Sequence, residues 1–161
     1  MDLIIRQAVE AGAARIIPLV SDHAIPRTDE ESARGGRWER IAREAREQSG
    51  AARAVALEPA VRLDEAASRP REGTAVFFHE DRAGAEPLHE ILAEADGPVT
   101  VLVGPEGGLS PRETALLEAA GFRRAWLGDG VLRTETAALY ALAAVATILR
   151  ERKTWKPSRE G

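Results

Sequence analysis

The sequence predicts one α/β domain in which a mainly parallel sheet carries helices on both faces. Short apolar runs rich in β-formers alternate with longer amphipathic runs about six times along the chain, a pattern typical of parallel sheets with crossover helices. A length of 161 residues with 44% hydrophobic residues suffices for one buried core. Aromatic residues make up only 4%, so that core is built mainly from Ala, Leu, Val and Ile.

Apolar spacing and turn residues place the individual elements. Helices are predicted at residues 2–11, 37–49, 63–69, 86–95, 111–120 and 134–152. Strands are predicted at residues 15–20, 52–57, 74–80, 99–103 and 123–128. Residues 21–36 are predicted to form a long polar loop, because they contain Pro26 and the pair Gly35-Gly36. The domain is expected to span residues 1–152, and residues 153–161 are expected to form a flexible tail.

Composition limits the function. The chain has no cysteine, which excludes disulfides and thiolate chemistry and fits a reducing, cytoplasmic location. The apolar stretch 137–149 is too short to span a bilayer, so no membrane partner is expected. The three histidines lack metal-ligand spacing, so no metal is expected either. A net charge of −4 is unusual for a stand-alone nucleic-acid binder.

The stretch VLVGPEGGLSPRE, residues 101–113, joins a buried strand to a helix through a glycine-rich loop. Ser110 is placed to cap that helix, Pro111 suits its first position, and Glu113 completes a capping box. Ligands bind at the carboxyl ends of parallel strands, where glycines let them approach the main chain. The alternative is a tight turn in which the glycines only permit a positive φ.

A second stretch, LGDGVLRTETAAL at residues 127–139, repeats this arrangement one strand–helix unit later. We predict that two adjacent strands bring both loops to the same edge of the sheet, where a flat, nearly neutral ligand such as an adenine nucleoside fits. The loops match neither the phosphate-binding pattern with Gly-Lys-Ser/Thr nor the dinucleotide pattern G-x-G-x-x-G.

Together, VGPEGGLSPRE and LGDGVLRTETAAL resemble the motifs of the SPOUT superfamily of RNA methyltransferases. The specific likeness is to the bacterial family that methylates N3 of a uridine in 16S ribosomal RNA with S-adenosylmethionine. The segment RWERIAREAREQSG at residues 37–50 resembles the Glu-Gln-Ser-Gly helix of that family. Ala51 and Gly130 stand where family members usually have arginine. The family's small amino-terminal RNA-binding domain (PUA-like) is not in this chain, and we expect a fragment of a longer protein or a short natural form.

The resemblance implies a carboxy-terminal deep trefoil knot whose crossings hold S-adenosylmethionine. The positions it assigns to the cofactor are Leu102, Val103, Gly104, Glu106, Gly107, Gly108, Leu127, Gly128, Val131, Leu132, Arg133 and Thr134. It assigns catalysis to Arg133, which would stabilise charge on the uracil oxygens, and to Glu135, which would accept the N3 proton or orient Arg133. The alternative for this pair is a structural Arg–Glu tie at a helix start.

Partners follow from the same resemblance. The 16S RNA of the small ribosomal subunit is the expected substrate, and Arg27, Arg34, Arg37, Glu47 and Gln48 are candidate RNA contacts. Each of these also suits a solvated loop or helix end. The last helix is apolar on nearly every face, which predicts a homodimer through that helix, or otherwise a central helix within one subunit. Alternatives for the activity are methylation of a ribose 2′-hydroxyl or another base, and a non-catalytic cofactor- or RNA-binding module.

Overall fold

The computed structural model describes residues 1–24, 31–51 and 53–152, with the backbone alone for residues 31–35. The predicted tail at residues 153–161 lies outside this range. Within it, helices and strands alternate in the order α1 (Asp2–Glu10), β1 (Arg15–Ile16), β2 (Leu19–Val20), α2 (Glu31–Ser49), β3 (Ala56–Leu57), β4 (Val61–Arg62), α3 (Leu63–Ser68), β5 (Thr74–Phe78), α4 (Leu88–Ala93), β6 (Val99–Val103), α5 (Pro111–Ala119), β7 (Arg123–Ala125) and α6 (Thr134–Glu151).

The largest sheet has three strands in the order β6-β5-β7. All of its pairings are parallel, with Phe77 of β5 opposite Leu102 on one side and Arg124 on the other. The predicted parallel α/β fold is therefore confirmed. The prediction that the strands before the two glycine loops are adjacent was wrong, because β5 lies between them. Their carboxyl ends still reach the same edge, since all three strands run in one direction.

Helices cover both faces of this sheet, as predicted. On one face, Phe77 and Leu102 pack against residues of α3 and α5, including Leu63 and Leu117. On the opposite face, Val76 and Phe78 belong to a cluster formed with α4 and α6: Ile91, Leu92, Ala141 and Val145. Alternate residues of β5 thus face opposite helical layers, and β5 is buried from Ala75 to Phe78.

The amino-terminal part forms its own apolar cluster. Ile5 and Val9 of α1 pack against Ile41, Ala42 and Ala45 of α2. The prediction of a loop at residues 21–36 was wrong for residues 31–36, since α2 begins at Glu31 and continues through the glycine pair. Glycine costs a helix about 1 kcal/mol relative to alanine, and packing of α2 on α1 outweighs that cost.

The predicted strand at residues 15–20 is interrupted. Residues 15–16 pair with β3 and residues 19–20 pair with β4, a short strand that the sequence analysis did not predict. Pro18 lies in the gap, where it has no N–H for a ladder, and its carbonyl accepts a hydrogen bond from Val61 N at 3.0 Å. Of the described residues 53–57 in the predicted strand 52–57, Ala56–Leu57 are paired.

Helix α6 contacts α1, α4 and β6. It is the long carboxy-terminal helix that the sequence predicts. None of the helices within the described ranges is long and apolar enough to cross a membrane.

Candidate functional site

A hollow lies at the carboxyl edge of the three-stranded sheet. The ends of β5 and β6 and the segment between β7 and α6 meet there, as expected for a ligand site in a parallel α/β fold. Its lining is formed by Phe78, His79, Glu80, Val103, Gly104, Pro105, Glu106, Gly108, Leu109, Leu127, Gly128, Gly130, Val131, Leu132, Thr134 and Ala137. Both glycine-rich loops therefore contribute to one site.

The first glycine loop, Gly104–Leu109, is a closed turn. Gly108 N donates a hydrogen bond to the carbonyl of Pro105 at 2.9 Å, and Gly108 has a φ of +70°. That φ is unfavourable for residues with a Cβ. At Gly104 the constraint is packing, because a Cβ there would lie 3.1 Å from Cγ of Leu109. The loop thus requires glycine at these two positions for its own shape.

Helix α5 begins with the predicted capping box. Ser110 Oγ accepts a hydrogen bond from Glu113 N at 3.2 Å, and Glu113 Oε2 accepts one from Ser110 N at 2.9 Å. Glu113 is fully buried, and its second carboxylate oxygen accepts a hydrogen bond from Asp22 N at 2.8 Å. One carboxylate therefore satisfies two backbone N–H groups that are distant in sequence.

The segment Ser21–Ala24 binds the same region through its side chains. Asp22 accepts hydrogen bonds from Ser110 Oγ at 2.7 Å and from Arg112 at 2.8 Å. The pairing with Arg112, and then the bond from Ser110, lowers the pKa of the Asp22 carboxyl. His23 Nδ1 lies 2.8 Å from the carbonyl oxygen of Gly107 and 3.2 Å from that of Gly108.

His23 and Asp22 were missed as contributors to the site. The sequence places them only in a polar loop, and their partners are between 84 and 91 residues away. Because carbonyl oxygens only accept hydrogen bonds, Nδ1 of His23 must carry the ring proton that is shared between them. No short-range pattern of the sequence indicates this contact.

The second loop, Leu127–Arg133, makes fewer hydrogen bonds to the described residues than the first. Thr134 Oγ1, at the start of α6 directly after this loop, donates a hydrogen bond to the carbonyl of Gly104 at 3.2 Å and so joins the end of the second loop to the first. Helix α6 begins at Thr134, and its N-cap residue Arg133 makes no side-chain cap hydrogen bond. Val131 is 80% exposed and so offers one apolar, solvent-facing side chain at the hollow.

The structure brings most of the sequence-predicted cofactor positions together. Those that line the hollow are Val103, Gly104, Glu106, Gly108, Leu127, Gly128, Val131, Leu132 and Thr134. Three do not. Leu102 is buried in the core beside Phe77, Gly107 lies against His23, and Arg133 is exposed at the start of α6.

The predicted catalytic and RNA-contacting residues are more dispersed. Glu135 is half-buried in the first turn of α6, next to Arg133, and neither lines the hollow. Arg37 pairs with Asp2 and so ties α2 to α1, while Glu47 and Gln48 are exposed near the end of α2. Arg27 and the side chain of Arg34 lie outside the described residues.

The strand between the loops adds residues that were not assigned to the site. His79 and Glu80 follow β5 and line the hollow, and His79 Nδ1 accepts a hydrogen bond from Asp81 N at 3.0 Å. Their position directly after the central strand is the sequence signal that indicates this role. In the part of the chain that the structure describes, no cluster of three or more His, Asp or Glu side chains has the arrangement of a metal site.

The fold and the hollow define an α/β domain with a ligand site built from two glycine-rich loops. Residues 1–146 match the model of the RNA methyltransferase domain family, and the chain belongs to that family. It is similar to the ribosomal RNA small subunit methyltransferases E of Aquifex aeolicus, with 34% identity over 85% of this chain, and of Mycobacterium bovis, with 35% over 91%. The chain spans 58% of the length of each relative.

A solved structure has the same fold. The ribosomal RNA small subunit methyltransferase E of Neisseria gonorrhoeae, bound to S-adenosyl methionine, is 36% identical and superposes with a TM-score of 0.83. The match covers 92% of this chain and 60% of that protein.

Proposed function

We propose that this domain uses S-adenosylmethionine to methylate N3 of a uridine in the 16S RNA of the small ribosomal subunit. The observation that carries the proposal is the single hollow that both glycine loops line at the carboxyl edge of the sheet. The relatives from Aquifex aeolicus and Mycobacterium bovis, at 34% and 35% identity, are ribosomal RNA small subunit methyltransferases E. The structure of the Neisseria gonorrhoeae protein was solved with S-adenosyl methionine bound.

The chemical character of the hollow fits this cofactor. Leu127, Val131 and Leu132 supply apolar surface suited to an adenine ring, while the glycine loop exposes backbone polar groups. Glu80 and Glu106 are acidic residues of the lining, and neither arginine nor lysine occurs among its described members. A negative wall favours the positively charged sulfonium and amino groups and disfavours phosphates.

The remaining chemistry concerns the uridine. Bound S-adenosylmethionine supplies an electrophilic methyl group, and N3 of uridine becomes a competent nucleophile only after losing its proton. We assign to Arg133 the stabilisation of negative charge on the uracil oxygens, and to Glu135 the acceptance of the N3 proton or the orientation of Arg133. Both flank Thr134, which lines the hollow, and this neighbourhood supports the assignment.

A deep trefoil knot is part of the proposal. In it, the carboxy-terminal segment threads through a loop, and the knot crossings form the cofactor pocket. The hydrogen bond from Thr134 Oγ1 to the carbonyl of Gly104 joins the start of α6 to the first glycine loop and supports close passage of these two segments. An experimental structure whose backbone path is unknotted would contradict this part of the proposal.

The decisive experiment uses small ribosomal subunits from bacterial cells whose own small-subunit methyltransferase E has been deleted. The purified chain, methyl-labelled S-adenosylmethionine and these subunits should yield N3-methyluridine on nucleoside mass spectrometry. Arg133→Ala should reduce the initial rate by about thirtyfold or more, since one charge-stabilising contact in a transition state is worth about 2–4 kcal/mol. Label in a ribose or in another base would refute the uridine assignment.

A separate arm tests the cofactor alone. Titration calorimetry of the chain with S-adenosylmethionine should show saturable binding. Because the chain spans 58% of the length of its relative from Aquifex aeolicus, the RNA arm is repeated with that whole relative. Binding of the cofactor by this chain without methyl transfer, under conditions in which the relative methylates the RNA, would favour a non-catalytic module.

We further propose that the domain works as a homodimer in the cytoplasm, where ribosomal subunits are assembled. Helix α6 supports the dimer, since Tyr140 is 54% exposed and Leu139 is 38% exposed. Apolar side chains exposed together on one helix are typical of protein interfaces. Light scattering should give twice the chain mass, and a monomer at all concentrations would contradict the proposal.

A further inference from the structure

We propose that His23 is a positioning residue, whose imidazole fixes the first glycine loop in the shape that accepts the cofactor. The identity of that cofactor rests on the proposed function, while the effect of His23 on the loop does not. The proposal depends on the contacts of His23 with Gly107 and Gly108 and on the way in which neighbouring residues hold His23.

The ring proton of His23 is shared between two successive peptide carbonyls, Gly107 O at 2.8 Å and Gly108 O at 3.2 Å. Each peptide unit is planar, so fixing a carbonyl also fixes the N–H that follows it. The carbonyl of Gly107 shares its plane with the N–H of Gly108, which closes the turn onto Pro105. The carbonyl of Gly108 likewise sets the direction of the N–H of Leu109.

The loop backbone also packs directly against His23. A Cβ on Gly107 would lie 3.0 Å from Cβ of His23 and 3.5 Å from its Cγ. Glycine at this position therefore makes room for His23 rather than for a ligand. This contact also explains why Gly107 is absent from the lining while Gly108 and Leu109 belong to it.

His23 is itself held by the residue before it. Asp22 N donates to the buried Glu113, and the Asp22 carboxylate binds Ser110 and Arg112 at the start of α5. The imidazole therefore approaches the loop from a backbone that is anchored on a helix. Such preorganisation lowers the entropy lost when a ligand binds the loop.

The test compares His23→Leu, which removes the donor, with His23→Asn, whose side-chain N–H₂ occupies a position similar to that of Nδ1. His89→Leu is the matched control, because His89 is also exposed but lies on α4, on the opposite face of the sheet. His23 is exposed, so the variants should fold, and His23→Ala replaces the leucine variant if that one does not.

Two readouts are taken. Amide hydrogen exchange at Gly108 in the free protein should accelerate about tenfold in His23→Leu and stay within about threefold of the parent in His23→Asn. The dissociation constant for S-adenosylmethionine should rise about tenfold in His23→Leu and recover in His23→Asn, with unfolding temperatures similar to those of the control.

Unchanged exchange at Gly108 in His23→Leu would overturn the proposal. Equal acceleration in the leucine and asparagine variants would also overturn it, because packing rather than the hydrogen bond would then hold the loop. If the parent protein binds no S-adenosylmethionine, the proposed function fails, while exchange at Gly108 still decides the role of His23.

Discussion

The two glycine loops that line the hollow are held in different ways. The first, Gly104–Leu109, is closed by its own turn, bound by His23 and followed by a helix whose start is fully capped. The second, Leu127–Arg133, precedes a helix without a side-chain cap and exposes Val131. The difference indicates that the first loop is preorganised by the chain, whereas the second depends more on what binds to it.

Among the substitutions that test this difference between the loops, we expect the largest effect from Glu113→Gln. The substitution keeps the shape of the side chain but directs an N–H₂ group at a backbone N–H, either that of Ser110 or that of Asp22. We expect a loss of about 2–3 kcal/mol in the free energy of unfolding, measured with urea, because a buried donor loses its partner.

Glu118→Gln is the control, since Glu118 is half-exposed on the same helix. It should cost about 0.5 kcal/mol or less. Equal losses in both variants would mean that the start of α5 is not specially held.

The second loop leads into α6, the helix that carries the proposed dimer interface. Tyr140→Glu places a charge on exposed apolar surface of α6. It should weaken self-association about thirtyfold in analytical ultracentrifugation, the effect of losing an aromatic interface contact worth about 2 kcal/mol. Ser68→Glu on α3 adds the same charge elsewhere and should leave association unchanged. If Tyr140→Glu associates like the parent, the exposed apolar face of α6 is not the dimer interface.

One glycine of each loop can be substituted to compare how the two loops affect cofactor affinity. Gly107→Val would force side-chain atoms against His23 and should raise the dissociation constant for S-adenosylmethionine about tenfold, with the fold retained. Gly130→Ala in the second loop meets no heavy atom within 4 Å and should change the constant by less than about twofold. Calorimetry on both variants provides the measurement. Similar effects in the two loops would remove the distinction between them.

The smallest effect concerns pH. The pKa of Asp22 is lowered from its ordinary value of 3.8, first by the hydrogen bond from Arg112 and then by that from Ser110. Because the folded-state pKa is the lower one, the stabilisation is complete above the ordinary value and is lost as the pH falls through the folded-state pKa. An NMR titration should give a midpoint below 3.8 that rises in Arg112→Gln. A midpoint that does not respond to this substitution would exclude Arg112 as the main cause.

Local patterns predicted the local parts of the structure. The capping box at Ser110, the proline at position 111 and the glycine that ends α5 are all decided within a few residues, and each is found. Gly121, at φ +82°, ends that helix in the left-handed conformation that glycine favours. The strand at residues 99–103 was predicted with the bounds that the structure shows, because it is a short run of β-forming residues between turn residues.

Long-range contacts account for what the sequence did not predict. Helix α2 includes Gly35 and Gly36 because packing on α1 compensates for their poor helix propensity. The strand order β6-β5-β7 depends on crossover connections that periodicity does not encode. His23 reaches the glycine loop only through the tertiary fold.

The 84 residues that separate His23 from Gly107 have a consequence for the order of folding. Non-local contacts form late, because the entropy of closing a long loop must be overcome before they contribute. The turn at Gly104–Leu109 can form early from local bonds, but its rigid shape requires the amino-terminal segment to dock on α5. Ligand affinity should therefore develop after most secondary structure during refolding, as one of the last properties that the chain acquires.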